Sequence, residues 1–228
     1  MAYVPRPGVV FEDVAATLPE WLRPIADAVP AIASSELSLF TPPPEGGRDS
    51  AILLLFGESN GEPDLLFIER ASHMRSHAGQ PAFPGGAVDD VDVSIIETAL
   101  REASEETGLD ASGVAVFGTL PDLWLSVSSF VVAPVLGWWA NPSDVHAAQP
   151  DEVAAVHRVT IAELLDPANR VKVRHPSGYI GDGFTVRGML IWGFTAGLFS
   201  RLMNVVGWTK PWDTSVIVDV DVQGAPLP

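Results

Sequence analysis

Three glutamates within five positions, Glu102, Glu105 and Glu106, are the residues of this sequence best placed to do chemistry. On a helix each residue advances about 100° around the axis, so Glu106 lies about 40° from Glu102 and Glu105 about 60° to the other side. The three carboxylates therefore share one face. Ala99 and Ala103 lie on another face and are small enough for close packing onto a sheet.

Neighbouring carboxylates on a helix repel one another, and a bound cation removes that penalty. Mg²⁺ prefers hard oxygen ligands and is commonly held by a few carboxylates together with substrate phosphates. The alternative is a solvated acidic face, in which Arg101 offsets part of the charge by pairing with Glu105 four residues later. The spacing alone leaves both interpretations open.

A glycine loop precedes the helix. The residues Phe83-Pro-Gly-Gly86 form a tight loop whose glycines let backbone approach both a metal and a phosphate, and Asp89 and Asp92 follow. Loop and helix together resemble the Nudix box, the loop–helix–loop signature of the Nudix hydrolases. The REUxEExGU part of that box is matched at every position from Arg101 to Leu109.

The resemblance implies a role for each charged residue of this segment. Glu102, Glu105 and Glu106 would hold Mg²⁺ or Mn²⁺, and Arg101 would keep the loop and the glutamates in place. One position departs from the general box, which has a Glu six residues after its second glycine. The interval from Gly86 to Arg101 is one residue longer here and no Glu fills that position, so the early Glu is not carried over.

The residues upstream of the box also resemble a known motif. The run from Arg70 to Gly86 is similar to RSxxLRxHxGQVxFPGG, which precedes the box in coenzyme A pyrophosphatases, although Ala71 and Pro81 replace its usual Ser and Val. The resemblance extends over about residues 50–203 and implies coenzyme A or an acyl-CoA as substrate. The candidate substrate-binding residues are Arg70, Arg75, His77, Gln80, Gly85 and Gly86.

Other residues admit two interpretations each. Arg70 and Arg75 could contact phosphate, because a guanidinium offers a fork of donors, or could pair with nearby acids. His77 could touch phosphate or hold its loop. Glu152 could be a late metal ligand or catalytic base, as the family resemblance suggests, or a surface residue. Five basic residues could bind an anionic end of the substrate or balance local acids: Arg158, Arg170, Lys172, Arg174 and Arg187.

Composition excludes several classes of function. The chain has no cysteine, which rules out disulfides, thiolate zinc sites and cysteine nucleophiles. Its net charge of −16 argues against nucleic-acid binding. Residues 123–143 carry no charge, but their polar residues and prolines favour a buried strand over a membrane span. We expect a cytoplasmic protein with a nucleotide-like small-molecule substrate and no membrane partner, and leave open a homodimer.

Apolar runs and turn residues predict the fold. A hairpin is expected over 51–68, a helix over 94–107 ending at Gly108, strands over 114–120 and 130–137, and a short helix after Thr160. Further helices are expected over 12–28 and 187–203. These elements indicate an α/β protein with an α/β/α sandwich around a mixed β-sheet. Residues 1–48 are expected to be an N-terminal extension packed on a main domain of residues 49–228, which includes a C-terminal extension.

The leading hypothesis is therefore metal-dependent hydrolysis of the pyrophosphate bond of a nucleoside diphosphate derivative. Coenzyme A or acyl-CoA would give 3′,5′-ADP and 4′-phosphopantetheine or its acyl form. ADP-ribose, NADH or another nucleotide is the alternative substrate. The alternative of another class is a catalytically silent Nudix module that binds a nucleotide and regulates a partner.

Overall fold

The computed structural model describes residues 3–73 and 78–227 of the chain. Its strands are β1 (Val9–Val10), β2 (Arg48–Ser59), β3 (Glu62–Arg70), β4 (Pro81–Ala82), β5 (Gly85–Ala87), β6 (Val114–Thr119), β7 (Leu123–Leu125), β8 (Phe130–Trp139), β9 (Val153–Thr160), β10 (Arg170–Arg174), β11 (Ile180–Val186), β12 (Met189–Ile191) and β13 (Ile217–Asp219). Its α-helices are α1 (Glu12–Ala15), α2 (Arg23–Ala28), α3 (Ser34–Leu37), α4 (Ile95–Thr107), α5 (Ile161–Leu165) and α6 (Gly193–Val205).

The main sheet is mixed. Its strands follow the order β1-β6-β8-β2-β3-β4, with β5 paired to β2, β7 to β8 and β9 to β3. The central β2 and β8 run parallel, whereas the pairs of β2 with β3 and β5 are antiparallel. The uncharged stretch of residues 123–143 thus supplies β7 and β8 of a sheet, and within the described residues no helix is long and apolar enough to cross a membrane.

Helices cover both faces of this sheet. Leu53 and Leu55 of β2 pack on one face with Ala99 and Ala103 of α4. The alternate residues of the same strand, among them Phe56, face the other layer, which α5, α6 and the N-terminal segment supply. Successive side chains of a strand point to opposite faces, so β2 is buried from both sides. The predicted α/β/α sandwich around a mixed sheet is confirmed.

Local sequence signals account for the elements around the site. Asn60 and Gly61 adopt positive φ in the turn between β2 and β3, as a two-residue hairpin requires. Ser94 caps α4 by accepting a hydrogen bond from the Glu97 amide, and Gly108 ends the helix in the left-handed conformation with a φ of 69°. The predicted hairpin and central helix are confirmed.

The helix expected over residues 187–203 is wrong in its first part. Arg187 and Gly188 form a positive-φ turn, Met189–Ile191 is strand β12, and the helix begins only at Gly193. The apolar run before Gly193 pairs with β11 in a separate four-stranded sheet of the order β12-β11-β10-β13, counted over the described residues. An apolar run of three residues fits a strand or a helix equally well, so only the pairing partner decides.

The N-terminal segment packs into the main core. The helix expected over residues 12–28 is two short helices, α1 and α2, because Leu18 precedes a proline and is disfavoured from helical geometry. Leu18 and Leu22 are nevertheless buried in the main core. The backbone N–H and Nε of Arg6 both donate to the buried carboxylate of Asp122, which ties the chain start to the main sheet.

Candidate active site

Helix α4 presents the glutamates to the glycine loop. Glu106 is almost fully buried, with 2% of its surface exposed, and its Oε2 accepts a hydrogen bond from the Gly85 amide at 2.9 Å. Burial raises the pKa of Glu106 to about 8. The Gly85 amide and the charge of Arg70 lower this pKa, whereas the charges of Glu102 and Glu152 raise it. The positive groups present do not offset the loss of water around this carboxylate.

Glu102 lies one turn earlier, against Gly86. A Cβ atom on Gly86 would lie 2.5 Å from the Glu102 carboxyl carbon, so a larger residue at position 86 would displace this carboxylate. Burial raises the pKa of Glu102, and the charges of Glu105 and Glu152 add to the rise, while Arg101 opposes it. A buried and a partly buried carboxylate one turn apart thus stand beside a backbone that has no side chain to exclude a ligand.

Arg101 links the loop to the glutamates. Its Nε and one terminal nitrogen donate to the two oxygens of Asp92, each at 2.8 Å. The other terminal nitrogen donates to Glu102 at 3.0 Å and to Glu105 at 3.2 Å. The hydrogen bonds from Arg101 hold the pKa of Asp92 well below its usual range, with further bonds from the Asp89 amide and the Thr98 hydroxyl. The guanidinium therefore ties the loop before α4 to two of the three glutamates.

Sequence reasoning assigned no role to Asp92. The signal was present, because Asp92 stands six positions after Gly86, where the general box has its early Glu counted from the glycine. Glu97 serves a different purpose, since its Oε2 accepts a hydrogen bond from the Val93 amide at the start of α4. The longer interval before Arg101 is thus bridged by an aspartate that pairs with the arginine.

Glu105 differs from its two neighbours. Its side chain is 45% exposed and pairs with Arg101 in the i,i+4 arrangement. It lies on the solvent side of the face that Glu102 and Glu106 present to the loop. Within residues 3–73 and 78–227, no three carboxylate or imidazole groups already converge on a single point at metal-binding distance.

Strands β3 and β9 bring Arg70 and Glu152 towards the glutamates of α4. β3 and β9 run antiparallel, with a bulge between Glu69 and Arg70 opposite Val153. Directly before β9, the carbonyl of Glu152 accepts a hydrogen bond from the Ala71 amide at 2.7 Å. The charges of Arg70 and Glu152 both reach Glu106, with opposite effects on its pKa. The structure therefore groups both residues with the glutamates of α4.

Of the remaining candidate residues, three lie within the described residues and two lie outside them. Gly85 and Gly86 lie in β5 beside α4, and the Gln80 side chain donates to the Gln223 carbonyl in the C-terminal segment. Arg75 and His77 lie outside the described residues.

The five clustered basic residues are all engaged by acids of the chain. Each ion pair joins a cation to a nearby carboxylate: Arg158 to Asp64, Arg170 and Lys172 to Asp182, Arg174 to Asp219, and Arg187 to Glu163. Of the two interpretations of this cluster, the balancing of local acids is the one that these contacts favour.

Hard oxygen donors beside a glycine backbone fit a divalent cation better than any other common ligand. Glu102 and Glu106 both have raised pKa values because their burial is not offset, so a positive charge between them would relieve both. Oxygen ligands without thiolates suit Mg²⁺ or Mn²⁺. The donor set therefore fits the cation that the sequence predicts, with some rotation of the side chains to converge on it.

Comparison with known proteins identifies the family to which this chain is similar. The NUDIX domain family model matches residues 47–177. A protein of Enterobacter sp. (strain 638) with the name uncharacterized Nudix hydrolase NudL is 42% identical over 168 residues, which cover 70% of this chain and 83% of its own. The protein of that name from Shigella flexneri is 39% identical, covering 73% of this chain and 86% of its own. A crystal structure of a Nudix hydrolase from Nitrosomonas europaea aligns at 13% identity with a TM-score of 0.47, covering 76% of this chain and 80% of that one.

Proposed function

Because the chain belongs to the Nudix hydrolase family, we propose that it cleaves the pyrophosphate bond of a nucleoside diphosphate derivative, with coenzyme A or an acyl-CoA as preferred substrate. Nudix hydrolases act on small nucleotide substrates and generally use divalent metal ions. We also propose the metal, either Mg²⁺ or Mn²⁺, the substrate, and a role for each residue of the site.

One observation carries the proposal. Glu106 is buried and Glu102 partly buried beside Gly85 and Gly86, and the loss of solvation raises the pKa of both. A structural role gives no reason to place a second carboxylate one turn from a buried one, because the charge of Glu102 raises the cost of ionising Glu106. A bound cation does give a reason. The residues proposed to hold it are Glu102, Glu105 and Glu106, for which Glu105 would turn away from Arg101.

The protein groups then have distinct tasks. A bound Mg²⁺ or Mn²⁺ would neutralise charge on the pyrophosphate and make the attacking water more acidic. Glu152, which approaches from a different element, is proposed as a further ligand or as the base that accepts the water proton. Arg70 is proposed to bind the substrate through a phosphate oxygen. Arg101 and Asp92 would hold the glutamates in position without touching substrate.

The substrate is proposed from the residues upstream of the glycine loop. The run from Arg70 to Gly86 is similar to the motif of coenzyme A pyrophosphatases. Two of its charged or polar members lie where β3 meets β4: Arg70 is the last residue of β3, and Gln80 directly precedes β4 and accepts a hydrogen bond from the Arg70 amide. Coenzyme A differs from ADP-ribose by a 3′-phosphate and a pantetheine arm. Attack of water on one phosphorus would release 3′,5′-ADP and 4′-phosphopantetheine.

The test is a product analysis over a panel of substrates. Metal-free protein is incubated with coenzyme A, acetyl-CoA, NADH, ADP-ribose and nucleoside triphosphates, each with Mg²⁺, with Mn²⁺ and with a chelator, and the products are separated by chromatography. We expect 3′,5′-ADP from coenzyme A in both metals and none with chelator. If kcat/KM for ADP-ribose or a triphosphate were about tenfold higher than for coenzyme A, or about 1.4 kcal/mol, the proposed substrate would be wrong. The proposed pyrophosphate hydrolysis would still stand. If no substrate were cleaved, the result would favour the alternative of a catalytically silent module that binds a nucleotide.

A further inference from the structure

The C-terminal end of the described chain forms a compact turn, here called the C-terminal turn (residues 220–227). One Oδ1 atom of Asp221 accepts hydrogen bonds from the amides of Gln223 at 2.8 Å and Ala225 at 2.9 Å. The Asp221 amide donates to the Ala225 carbonyl, and Leu227 donates back to Asp219 of β13. β13 itself is paired with β10. The turn is therefore an ordered structure anchored to the second sheet.

This turn touches the segment that precedes the glycine loop. The Gln80 side chain donates from Nε2 to the Gln223 carbonyl at 3.0 Å. Gly224 has a φ of 92° and packs so closely that a Cβ atom there would collide with Nε2 of Gln80 and lie 2.5 Å from Cζ2 of Trp192. A side chain at this position is excluded both by the backbone conformation and by the two neighbours.

Gln80 in turn is joined to Arg70. The Arg70 amide donates to the Gln80 carbonyl at 3.1 Å, and the Gly79 amide donates to the Arg70 carbonyl at 3.0 Å. Arg70 lies close enough to Glu106 for its charge to lower the pKa of that carboxylate. A path of hydrogen bonds therefore runs from the C-terminal turn through Gln80 to the backbone of Arg70, and the adjacent Ala71 amide donates to the carbonyl of Glu152.

We propose that the C-terminal turn is a positioning element for the substrate side of the site: Gln80, docked on the Gln223 carbonyl in the space left by Gly224, fixes the Arg70 backbone and with it the substrate-binding guanidinium. The inference rests on the proposed function for its catalytic consequence. Its structural part, that the turn orders the Arg70–Gln80 pair, stands on the contacts alone. The glutamates of α4 make none of these contacts, so the turn should affect substrate binding more than turnover.

The test uses Gly224→Ala in the full-length protein, with Gly61→Ala as the matched control. Gly61 also has a positive φ, of 80°, but a Cβ atom there would meet nothing within 4 Å. Two readouts are taken: hydrogen exchange of the Arg70 and Gly79 amides by NMR, and kcat and KM on the pyrophosphate that the wild type cleaves. In Gly224→Ala we expect faster exchange at both amides and a roughly three- to tenfold higher KM, the size of one lost hydrogen bond, with kcat unchanged. Gly61→Ala should change neither.

A second variant covers the case in which Gly224→Ala does not fold. Asp221→Ala removes the acceptor of two amides of the turn and leaves Gly224 in place, and it should raise the same exchange rates and KM. Gln80→Ala combined with either variant should raise KM by less than the two separate effects together, because both changes weaken the contact of Gln80 with Gln223. Unchanged exchange at Arg70 and Gly79 in folded Gly224→Ala or Asp221→Ala would overturn the inference. A wild type that cleaves no pyrophosphate would instead defeat the proposed function, and the exchange rates would still decide the role of the turn.

Discussion

Burial raises the pKa of Glu106 to about 8 even though the Gly85 amide and the Arg70 charge both lower it. The neighbouring Glu102 also has a pKa raised by burial. Glu106 is buried and Glu102 partly buried on this helix face, while the Glu105 side chain is 45% exposed beside Arg101. The side chains around Glu102 and Glu106 thus do not offset the cost of ionising these two carboxylates. A bound cation would offset it.

The pKa of Glu106 predicts how the stability of the metal-free protein changes with pH. Unfolded glutamate titrates near 4.5, whereas folded Glu106 keeps its proton up to about pH 8. Between these values the folded chain binds more protons than the unfolded chain, so raising the pH lowers the stability that this residue contributes. We expect the melting temperature of metal-free wild type, relative to Glu106→Gln, to fall between about pH 5 and about pH 8. Below about pH 4.5 the difference should be constant.

A divalent cation should reverse this trend. The cation binds the ionised carboxylate, so adding Mn²⁺ at about pH 8 should raise the melting temperature of the wild type more than that of Glu106→Gln. Glu97→Gln, on the same helix but bonded to the Val93 amide, serves as the control and should behave as the wild type. A melting-temperature difference between wild type and Glu106→Gln that does not vary with pH would contradict the assignment of the raised pKa to Glu106.

At the scale of elements, the site depends on how α4 is fixed to the loop before it. Arg101 makes a two-point contact with Asp92 and reaches Glu102 and Glu105 with its remaining nitrogen. A lysine carries one ammonium group and cannot make this fork of contacts. The position of the glutamates therefore depends on the aspartate as much as on the arginine.

Asp92→Asn and Arg101→Lys should consequently have the same kinetic effect. Both should lower kcat by about 10- to 100-fold, the usual effect of losing a group that orients a metal ligand, with little change in KM. Asp90→Asn, at an exposed neighbouring position, is the control and should leave both constants unchanged. Steady-state kinetics decide the matter: a rise in KM at constant kcat would place Arg101 in contact with substrate instead.

Local signals were sufficient to predict α4 and the hairpin before it. The cap at Ser94, the left-handed Gly108 and the Asn60-Gly61 turn each act over a few residues, so their effects are legible in the sequence. The shared face of Glu102 and Glu106 follows from helical periodicity alone. The extent to which Glu102 and Glu106 are buried does not follow from periodicity, because it depends on β5 lying against the helix.

Contacts between distant segments explain what was missed. The apolar run Met189–Ile191 became a strand because β11 offered it a partner, and neither periodicity nor turn residues could show this. The pair of Asp92 with Arg101 spans nine residues of loop and helix, and the contact of Gln80 with Gln223 spans 143. Such contacts are set by tertiary packing, which a motif does not describe.

At the scale of the whole molecule, a net charge of −16 leaves little positive charge for an anionic substrate. The basic cluster from Arg158 to Arg187 does not change this, because each of its members pairs with a carboxylate. Arg187, for example, lies 2.6 Å from Glu163 and also donates to the Arg158 carbonyl. The charge of Arg70, in contrast, lowers the pKa of Glu106.

Substrate preference should therefore depend on Arg70 and not on Arg187. A site that desolvates a cation for a substrate phosphate loses affinity when that phosphate is absent. We expect Arg70→Gln to reduce the ratio of kcat/KM for coenzyme A over dephospho-CoA, and Arg187→Gln to leave it unchanged. An equal reduction in both variants would show that the ion pair of Arg187 opens to bind substrate.

The most direct test of the proposed metal site is the turnover number of Glu106→Gln on the pyrophosphate that the wild type cleaves best, at saturating Mg²⁺ or Mn²⁺. Glutamine keeps the size of the side chain and can still accept the hydrogen bond from the Gly85 amide, but it cannot supply an ionised oxygen. We predict that kcat falls by at least about 100-fold, while the protein melts at or above the wild-type temperature in the absence of metal. A folded Glu106→Gln protein with near-normal kcat would contradict the account.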